Sequence, residues 1–210
     1  MGTVALIDYG SGNLRSVERA LREAGRRSDT VAEVQLTRDP EVVATAERIV
    51  LPGVGAFASC RAGLDALPGM LEAITEAVRV RGAPFLGVCV GMQLLATRGL
   101  EFGETAGLDW IAGEVRRLQP TGEQTVPHMG WNTVEPLAPH PLMSEPASMY
   151  FANSFAFQPD DPSDTIARVD HGGTFTAMVA RDNVAGVQFH PEKSQDEGLK
   201  LLARFLAWRP

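Results

Sequence analysis

The sequence predicts an α/β protein with an open, mostly parallel sheet, helices on both faces and added antiparallel strands, a flavodoxin-like arrangement. Two observations predict this fold class. Before Gly99, short apolar runs that end in turn residues alternate with stretches of helical periodicity, which is typical of a parallel sheet covered on both faces. After Gly99, turn-rich stretches separate short apolar runs, which favours antiparallel or mixed strands added to the same sheet.

The first strand and the first helix follow from residues 4–25. Residues 4–7 form a short apolar run closed by Asp8 and a glycine-rich turn, which is typical of a buried strand. Four apolar residues then recur at helical spacing: Leu14, Val17, Leu21 and Ala24. Asn13 is the expected N-cap of this helix, and Gly25 is expected to end it.

The same criteria place the remaining elements. Strands are expected at 31–36, 49–51, 84–88, 111–118, 133–134, 148–151, 176–179 and 184–189. Helices are expected over 57–81 with an interruption at Pro68-Gly69, over a run that includes 92–96, and over 194–208. No linker, repeat or low-complexity segment divides the chain, so we expect residues 1–210 to form a single domain.

The composition excludes several classes of function. The chain carries 19 Lys and Arg against 26 Asp and Glu, and a nucleic-acid-binding protein usually presents a basic face. No apolar run approaches the roughly 20 residues of a membrane helix, and the first residues lack the basic start of a signal peptide, so a cytoplasmic protein is expected. Two cysteines cannot form a disulfide framework, and no metal-ligand spacing or Walker-type loop is present, so we expect neither a metal nor a cofactor.

Cys89 lies at the centre of the sequence Gly-Val-Cys-Val-Gly, which follows an expected strand and begins an expected helix. A nucleophile at such a turn has a strained backbone, and glycines on either side leave room for it. The turn also directs the next N–H group and the positive end of the helix dipole at the reacting centre. The alternative is a buried cysteine at a tight strand–helix junction, since free cysteines often belong to the core.

Two further motifs follow expected strands. His190 and Glu192 flank a proline after 184–189, and residues two apart in an extended chain point the same way, so the carboxylate can orient the imidazole as a base. The alternative is a surface histidine beside a helix-capping glutamate. In Pro-Gly-Val-Gly at 52–55, the two glycines allow a backbone N–H to face an oxyanion, although this motif taken alone is better explained by an ordinary turn after a strand. All three motifs lie at carboxyl ends of strands, where open α/β sheets place their sites.

These segments resemble the class I, or triad, glutamine amidotransferases. Within that family, the chain is similar to the glutaminase subunits of imidazole glycerol phosphate synthase, because it also carries Asp-Tyr-Gly at 8–10, Gly-Asn-Leu at 12–14 and a loop reading Pro-His-Met-Gly-Trp-Asn at 127–132. Met92 supports the narrower match, since carbamoyl-phosphate and anthranilate synthase relatives usually have His there. The resemblance spans residues 6–194 and implies the same fold.

The resemblance implies a mechanism and its residues. Cys89 would attack the glutamine side-chain amide, His190 would take the thiol proton and then protonate the leaving ammonia, and Glu192 would orient His190. The oxyanion would be held by the N–H of Val90 and, after a backbone adjustment, by that of Val54. The implied glutamine-binding residues are Gly53, Gly55, Gln93, Ser154 and Phe155.

The chain departs from the family pattern at three positions. Val90 replaces the usual Leu, which is harmless if only its N–H is used. Asn153 replaces a common His, and Phe155 replaces a common Tyr, so any hydrogen bond from those side chains to glutamine or to a partner is in doubt.

The resemblance also implies a partner. Family members pass their ammonia to a separate cyclase subunit, HisF, a (β/α)₈ barrel, as a heterodimer that converts PRFAR into imidazole glycerol phosphate and AICAR in histidine biosynthesis. The implied interface candidates are Met129, Trp131, Asn132 and Lys193. Trp131 can also be a core aromatic, and Lys193 can also be a solvated lysine.

Two other functions stay open from the sequence. The chain can be a glutaminase for another acceptor, in a purine, pyridoxal or aminobenzoate pathway, although 127–132 and Met92 argue against it. It can also be a catalytically silent α/β regulatory module, although intact Cys89, His190 and Glu192 argue against that.

Overall fold

A computed structural model describes residues 2–28, 30 and 32–210. The strands are β1 (Gly2–Ile7), β2 (Ala32–Thr37), β3 (Arg48–Gly53), β4 (Phe85–Cys89), β5 (Arg98–Gly99), β6 (Thr105–Ala106), β7 (Gly113–Arg117), β8 (His128–Pro136), β9 (Ala147–Asn153), β10 (Phe155–Pro159), β11 (Thr165–Asp170), β12 (Thr174–Arg181) and β13 (Val184–Val187). The helices are α1 (Leu14–Arg27), α2 (Pro40–Thr45), α3 (Phe57–Asp65), α4 (Met70–Thr75), α5 (Val90–Gln93) and α6 (Gln195–Ala207). A π-helical turn (Glu76–Val80) continues α4, and 3₁₀ turns lie at Pro162–Asp164 and Pro191–Lys193. None of the helices in the described part of the chain has both the length and the apolar character to cross a membrane.

A nine-stranded sheet forms the centre of the molecule, in the order β2-β1-β3-β4-β13-β12-β11-β8-β9. The pairs from β2 to β13 are parallel, and the pairs from β13 to β9 are antiparallel. The central strands β3, β4 and β13 are buried along their whole length, as strands covered on both faces must be. The predicted α/β fold, a parallel sheet extended by antiparallel strands, is therefore confirmed.

A second, four-stranded sheet has the order β10-β7-β5-β6, and it corrects one expectation. We expected every strand after Gly99 to join the main sheet, but β7 pairs with β10 and β5 instead. The short strand β5 follows α5 closely and is already available as a partner when the chain returns at β7. The expected strand at 111–118 thus exists, but it belongs to another sheet.

The prediction of a helix around 92–96 is wrong beyond the first helical turn. In a longer helix, the carbonyls of Leu94, Leu95 and Ala96 would accept N–H groups four residues on. Here they accept the N–H groups of residues 108–111 instead, with N–O distances of 2.7–3.1 Å. This incoming loop satisfies the carbonyls by tertiary contact, so α5 ends at Gln93.

The boundaries of α1 differ from the expected ones at both ends. Asn13 occupies the N-cap position, but its side chain makes no capping hydrogen bond. Gly25 lies inside the helix and does not end it. The close approach of the chain at Thr30 favours glycine at this position, since a Cβ would stand 2.8 Å from the carbonyl oxygen of Thr30. The helix ends where Ser28 donates its hydroxyl to the carbonyl of Ala24, at 2.8 Å. The start of the second expected strand, residue 31, lies outside the described residues.

Several other elements differ from the sequence-based expectation. Residues 127–132, for which the sequence predicts a loop, mostly belong to β8, which begins at His128. Seven expected elements are present with shifted ends, namely the strands at 31–36, 49–51, 84–88, 148–151, 176–179 and 184–189 and the helix at 194–208. The interruption at Pro68-Gly69 is confirmed as the break between α3 and α4. Helix α2 was not expected, although Asp39 accepts a hydrogen bond from the N–H of Glu41 in an ordinary N-cap.

Candidate active site

Cys89 ends strand β4 and lies directly before α5, in a tight turn. Its φ of 55° is unusual for a residue with a side chain. Only glycine fits on either side, since a Cβ on Gly91 would lie 1.8 Å from the carbonyl oxygen of Leu51 and one on Gly87 would lie 2.5 Å from the carbonyl oxygen of Gly91. The close approach of β3, β4 and α5 therefore holds the strained conformation of Cys89.

His190 and Glu192 follow β13, the neighbour of β4. The Nδ1–H of His190 donates to Oε1 of Glu192 at 2.9 Å, and both side chains are almost fully buried. Burial alone would lower the pKa of His190, but its hydrogen bonds to Cys89 and Glu192 and their charges raise this pKa to about 9. The imidazole is thus a strong enough base to take the thiol proton, and the carboxylate fixes which ring nitrogen faces the sulfur.

A cavity of about 350 Å³ opens in front of this pair. Eight of the residues selected from the sequence line it: Val54, Gly55, Cys89, Val90, Gln93, Ser154, Phe155 and His190. Lys193, selected as an interface residue, lines it too, whereas Gly53 and Glu192 support its wall from behind. The structure therefore brings the proposed nucleophile, base, oxyanion donors and substrate-binding residues to one place.

The N–H of Val54, one of the two expected oxyanion donors, is engaged by Ser11. It donates to Oγ of Ser11 at 3.1 Å, and the same hydroxyl donates to the carbonyl of Val54 at 2.6 Å. The N–H of Val90, in contrast, belongs to the first turn of α5, where amide groups have no partner within the helix. Ser11 was not selected from the sequence, where it is one residue of a glycine-rich turn.

A chain of side-chain amides runs behind the cavity to the sulfur. Nε2 of Gln93 donates to the carbonyl of Phe155 and to Oε1 of Gln188, both at 3.0 Å. Nε2 of Gln188 in turn faces Sγ of Cys89 at 3.7 Å. Gln188 is only 1% exposed and was not selected, although its place two residues before His190 in an extended chain points it at the same centre.

Glu101 is a further residue that the sequence did not single out. Its carboxylate lines the cavity, and Oε2 accepts the N–H of Phe57 at 2.8 Å. It stands in a loop with no motif around it, so no pattern in the sequence could have indicated it. In the cavity it offers a negative charge to a cationic group of a substrate.

The two departures at the cavity wall have different consequences. Phe155 contributes its backbone carbonyl, which accepts hydrogen bonds from Gln93 and from Nδ2 of Asn153, each at 3.0 Å. A tyrosine hydroxyl is not needed for these bonds. Oδ1 of Asn153 is buried without a hydrogen-bond partner among the described residues, and Asn153 lines the cavity.

The four interface candidates do not lie on one face. Met129 and Trp131 are 65% and 48% exposed and point outward from alternate positions of β8, so Trp131 is not a core residue. Trp131 and Lys193 both contact Tyr150, with a ring distance of 5.9 Å and an Nζ-to-ring distance of 5.8 Å. Asn132 points the other way and donates to a backbone carbonyl of β11 at 2.7 Å.

Comparison with known proteins identifies similar chains. The sequence profile of the family described as "Glutamine amidotransferase class-I" matches residues 5–208. The chain is 63% identical to "Imidazole glycerol phosphate synthase subunit HisH" of Caulobacter vibrioides, over 100% of both chains, and 53% identical to the protein of the same name from Rhodospirillum rubrum, over 99% of both.

Solved structures share the fold. A protein described as a glutamine amidotransferase superposes with a TM-score of 0.71 at 18% identity, covering 99% of this chain and 100% of the other. A glutamine amidotransferase from Thermotoga maritima superposes with a TM-score of 0.61 at 15% identity, covering 98% and 96%. At these identities the structures support the fold alone, and it is the expected one.

Proposed function

Because the chain belongs to the class I glutamine amidotransferase family, and within it to the HisH subunits of imidazole glycerol phosphate synthase, we propose that Cys89 is the nucleophile of its glutaminase reaction. The chain is the glutaminase subunit of that synthase, in histidine biosynthesis. The observation that carries the residue assignment is the cavity in which Cys89 meets His190, itself held by Glu192.

The proposed reaction has two halves. His190 takes the proton of Cys89, the sulfur attacks the side-chain carbonyl of glutamine, and the tetrahedral intermediate collapses as His190 returns the proton to the leaving ammonia. Water, deprotonated by the same imidazole, then attacks the glutamyl thioester, and glutamate leaves as the sulfur regains the proton. The raised pKa of His190, about 9, suits an imidazole that holds a proton between these two transfers.

Recognition of glutamine rests on acceptors in the cavity wall. Glu101 supplies a carboxylate for the α-ammonium group. Both hydrogens of Nε2 in Gln93 are already used, by Phe155 and Gln188, which leaves Oε1 of Gln93 to accept a hydrogen bond from the substrate. Gly53 and Gly55 let the neighbouring backbone come close to the reacting amide.

The state of Val54 supports a resting form with an incomplete oxyanion hole. Its N–H bonds to Ser11, so only the N–H of Val90 is available to the intermediate until the peptide turns. The peptide between Gly53 and Val54 carries this N–H, and the glycine on one side of it makes such a rotation easier. The isolated chain is accordingly nearly inactive, and an occupied partner subunit switches it on.

The chain is one subunit of a complex, and its proposed partner is the cyclase HisF, a (β/α)₈ barrel that uses the ammonia to convert PRFAR into imidazole glycerol phosphate and AICAR. Residues 1–210 form one glutaminase domain in this proposal. The partner-facing surface is formed by Trp131 and Lys193, which both contact Tyr150, and by the exposed Met129 on the same strand as Trp131. A reduced catalytic thiol suits the cytoplasm.

The test is the variant Cys89→Ala, assayed in the complex with the cyclase of the same organism. The substitution removes the nucleophile, so glutamine-dependent synthesis of imidazole glycerol phosphate should be lost, while synthesis from ammonium salts should continue at the wild-type rate. Ser59→Ala on α3, an exposed small residue, is the matched control and should leave both activities unchanged. Loss of both activities in Cys89→Ala would mean that the cysteine is structural.

A further inference from the structure

Gln188 contacts the reacting sulfur from outside the cavity, and nothing in the glutaminase reaction described above uses it. We propose that Gln188 is a further catalytic residue, which donates an N–H hydrogen bond to the thiolate of Cys89; the proposal rests on Cys89 being the nucleophile. Nε2 of Gln188 lies 3.7 Å from Sγ of Cys89, within the range of hydrogen bonds to sulfur. Substrate does not reach Gln188, which is 1% exposed and does not line the cavity.

The direction of this hydrogen bond is fixed by a group that can only accept. The backbone carbonyl of Phe155 accepts from Gln93, so the amide nitrogen of Gln93 must point toward it. The second hydrogen of that nitrogen then meets Oε1 of Gln188, because two amide nitrogens cannot bond each other. Gln188 must therefore present its N–H group, and not its carbonyl, to the sulfur of Cys89.

The backbone holds Gln188 in the place that this role needs. Its N–H donates to the carbonyl of Ala177 at 2.9 Å, which continues the pairing of β12 with β13. Gln188 and His190 are two residues apart in extended chain, so both side chains project toward Cys89. One of them removes the proton of the thiol, and the other offers a hydrogen bond to the charge that remains.

Such a donor acts on the steps in which the sulfur carries charge. It lowers the free energy of the thiolate that attacks glutamine and of the thiolate that leaves when water opens the thioester. Glutamine itself is bound elsewhere in the cavity, so removal of the donor should lower kcat and leave KM nearly unchanged. A hydrogen bond to a charged group has a strength that corresponds to about a 10- to 100-fold change in rate.

Two substitutions separate donation to the sulfur from simple packing. Gln188→Met keeps the approximate volume and removes both polar ends. Gln188→Glu keeps an oxygen that accepts from Gln93 and replaces only the donor that faces Cys89. If the N–H is what matters, both variants lose activity and Gln188→Glu loses more, because a carboxylate repels the thiolate. If the residue only anchors Gln93, Gln188→Glu stays close to wild type and Gln188→Met is the worse variant.

The measurements are the glutaminase kcat and KM of the complex with its cyclase and PRFAR, and the rate at which iodoacetamide alkylates Cys89 in the full chain, followed by peptide mass. We expect kcat and the alkylation rate to fall together, about 10- to 100-fold, with thermal midpoints near that of wild type. Gln158→Met and Gln158→Glu, at an exposed position of β10, are the matched controls and should change neither rate.

Wild-type kcat and alkylation rates in a folded Gln188→Glu variant would overturn the proposal. Should neither Gln188 variant fold, Gln93→Met removes the group that orients Gln188, and an unchanged alkylation rate in that variant would overturn it equally. The alkylation rate needs no glutamine and no partner. A wild-type protein without glutaminase activity would therefore contradict the proposed function while leaving the alkylation contrast measurable.

Discussion

Ser11 is the residue on which the resting state of the proposed oxyanion hole depends. One hydroxyl binds both the N–H and the carbonyl of Val54, so the peptide that carries this N–H cannot turn toward Cys89 without losing its hydrogen bond to Ser11, and the second bond holds the peptide that follows. The thiol of Cys60 adds a weaker bond to the same carbonyl, at 3.4 Å. Burial raises the pKa of the Cys60 thiol, which keeps it protonated as the donor in that bond.

Ser11→Ala should therefore increase the glutaminase activity of the isolated chain. Removing a hydrogen bond worth about 1 kcal/mol should raise the population of the turned peptide, and with it the basal kcat, by roughly 5-fold. The measurement is glutamate release by the chain without its cyclase, with Ser59→Ala as control. A basal kcat that falls in Ser11→Ala would mean that the hydroxyl holds the loop in its active form.

The residues of the site differ in how visible they were in the sequence. Cys89, His190 and Glu192 lie in short local motifs at the ends of strands, where backbone geometry alone indicates a function. Ser11 and Gln188 act through partners 43 and 99 positions away, so only the folded structure reveals them. Glu101 is likewise revealed only by the folded structure, since Phe57, whose N–H it accepts, is 44 positions away.

The elements show the same division between local and distant causes. The parallel strands β1, β3, β4 and β13 were predictable because each is a short apolar run closed by Gly, Pro or a polar residue. The end of α5 was not, because its last carbonyls are satisfied by residues 108–111. Likewise, β7 leaves the main sheet because it pairs with β10, about 40 residues later, which no local pattern indicates.

The junction of β4 and α5 depends on glycine at position 91, and its replacement gives the second prediction. A Cβ there would overlap with the carbonyl oxygen of Leu51 in β3, so Gly91→Ala must move α5 away from the sheet. We expect a loss of more than about 3 kcal/mol in the free energy of unfolding, together with loss of glutaminase activity. Urea denaturation followed by circular dichroism measures the first, and glutamate release in the complex measures the second.

Gly82→Ala is the control that separates crowding from backbone strain. Gly82 has a positive φ, 73°, which Gly91 does not have, and an added Cβ at Gly82 would meet nothing within 4 Å. Gly82→Ala should lower the free energy of unfolding by only about 1 kcal/mol, which is the usual cost of a positive φ for alanine. Equal losses in the two variants would contradict the role assigned to the contact between Gly91 and Leu51.

At the scale of the whole molecule, the two ends of the strands in the main sheet differ in the residues that they expose. The carboxyl ends of β3 and β4 and the residues after β13 carry the cavity, and β8 places the exposed Met129 and Trp131 on the antiparallel side of the sheet. At the opposite end, before β4 begins, Val80 in the π-helical turn is 70% exposed. Exposed aromatic and Met side chains are enriched at interfaces, which favours the surface on β8 as the docking side for the proposed cyclase.

The last prediction follows from this asymmetry. Trp131→Ala and Met129→Glu should each weaken binding of the cyclase, by about 30-fold for the tryptophan, because buried aromatic residues contribute most of the affinity of an interface. Val80→Glu introduces the same charge on a similarly exposed apolar residue at the amino end of the strands and should leave the affinity for the cyclase unchanged. Calorimetric titration of each variant with purified cyclase measures the Kd, and the ammonium-dependent activity of the cyclase shows that the partner is intact. If Val80→Glu weakens binding while Met129→Glu and Trp131→Ala bind normally, the cyclase docks at the amino end of the strands, and ammonia from Cys89 would have to cross the sheet to reach it.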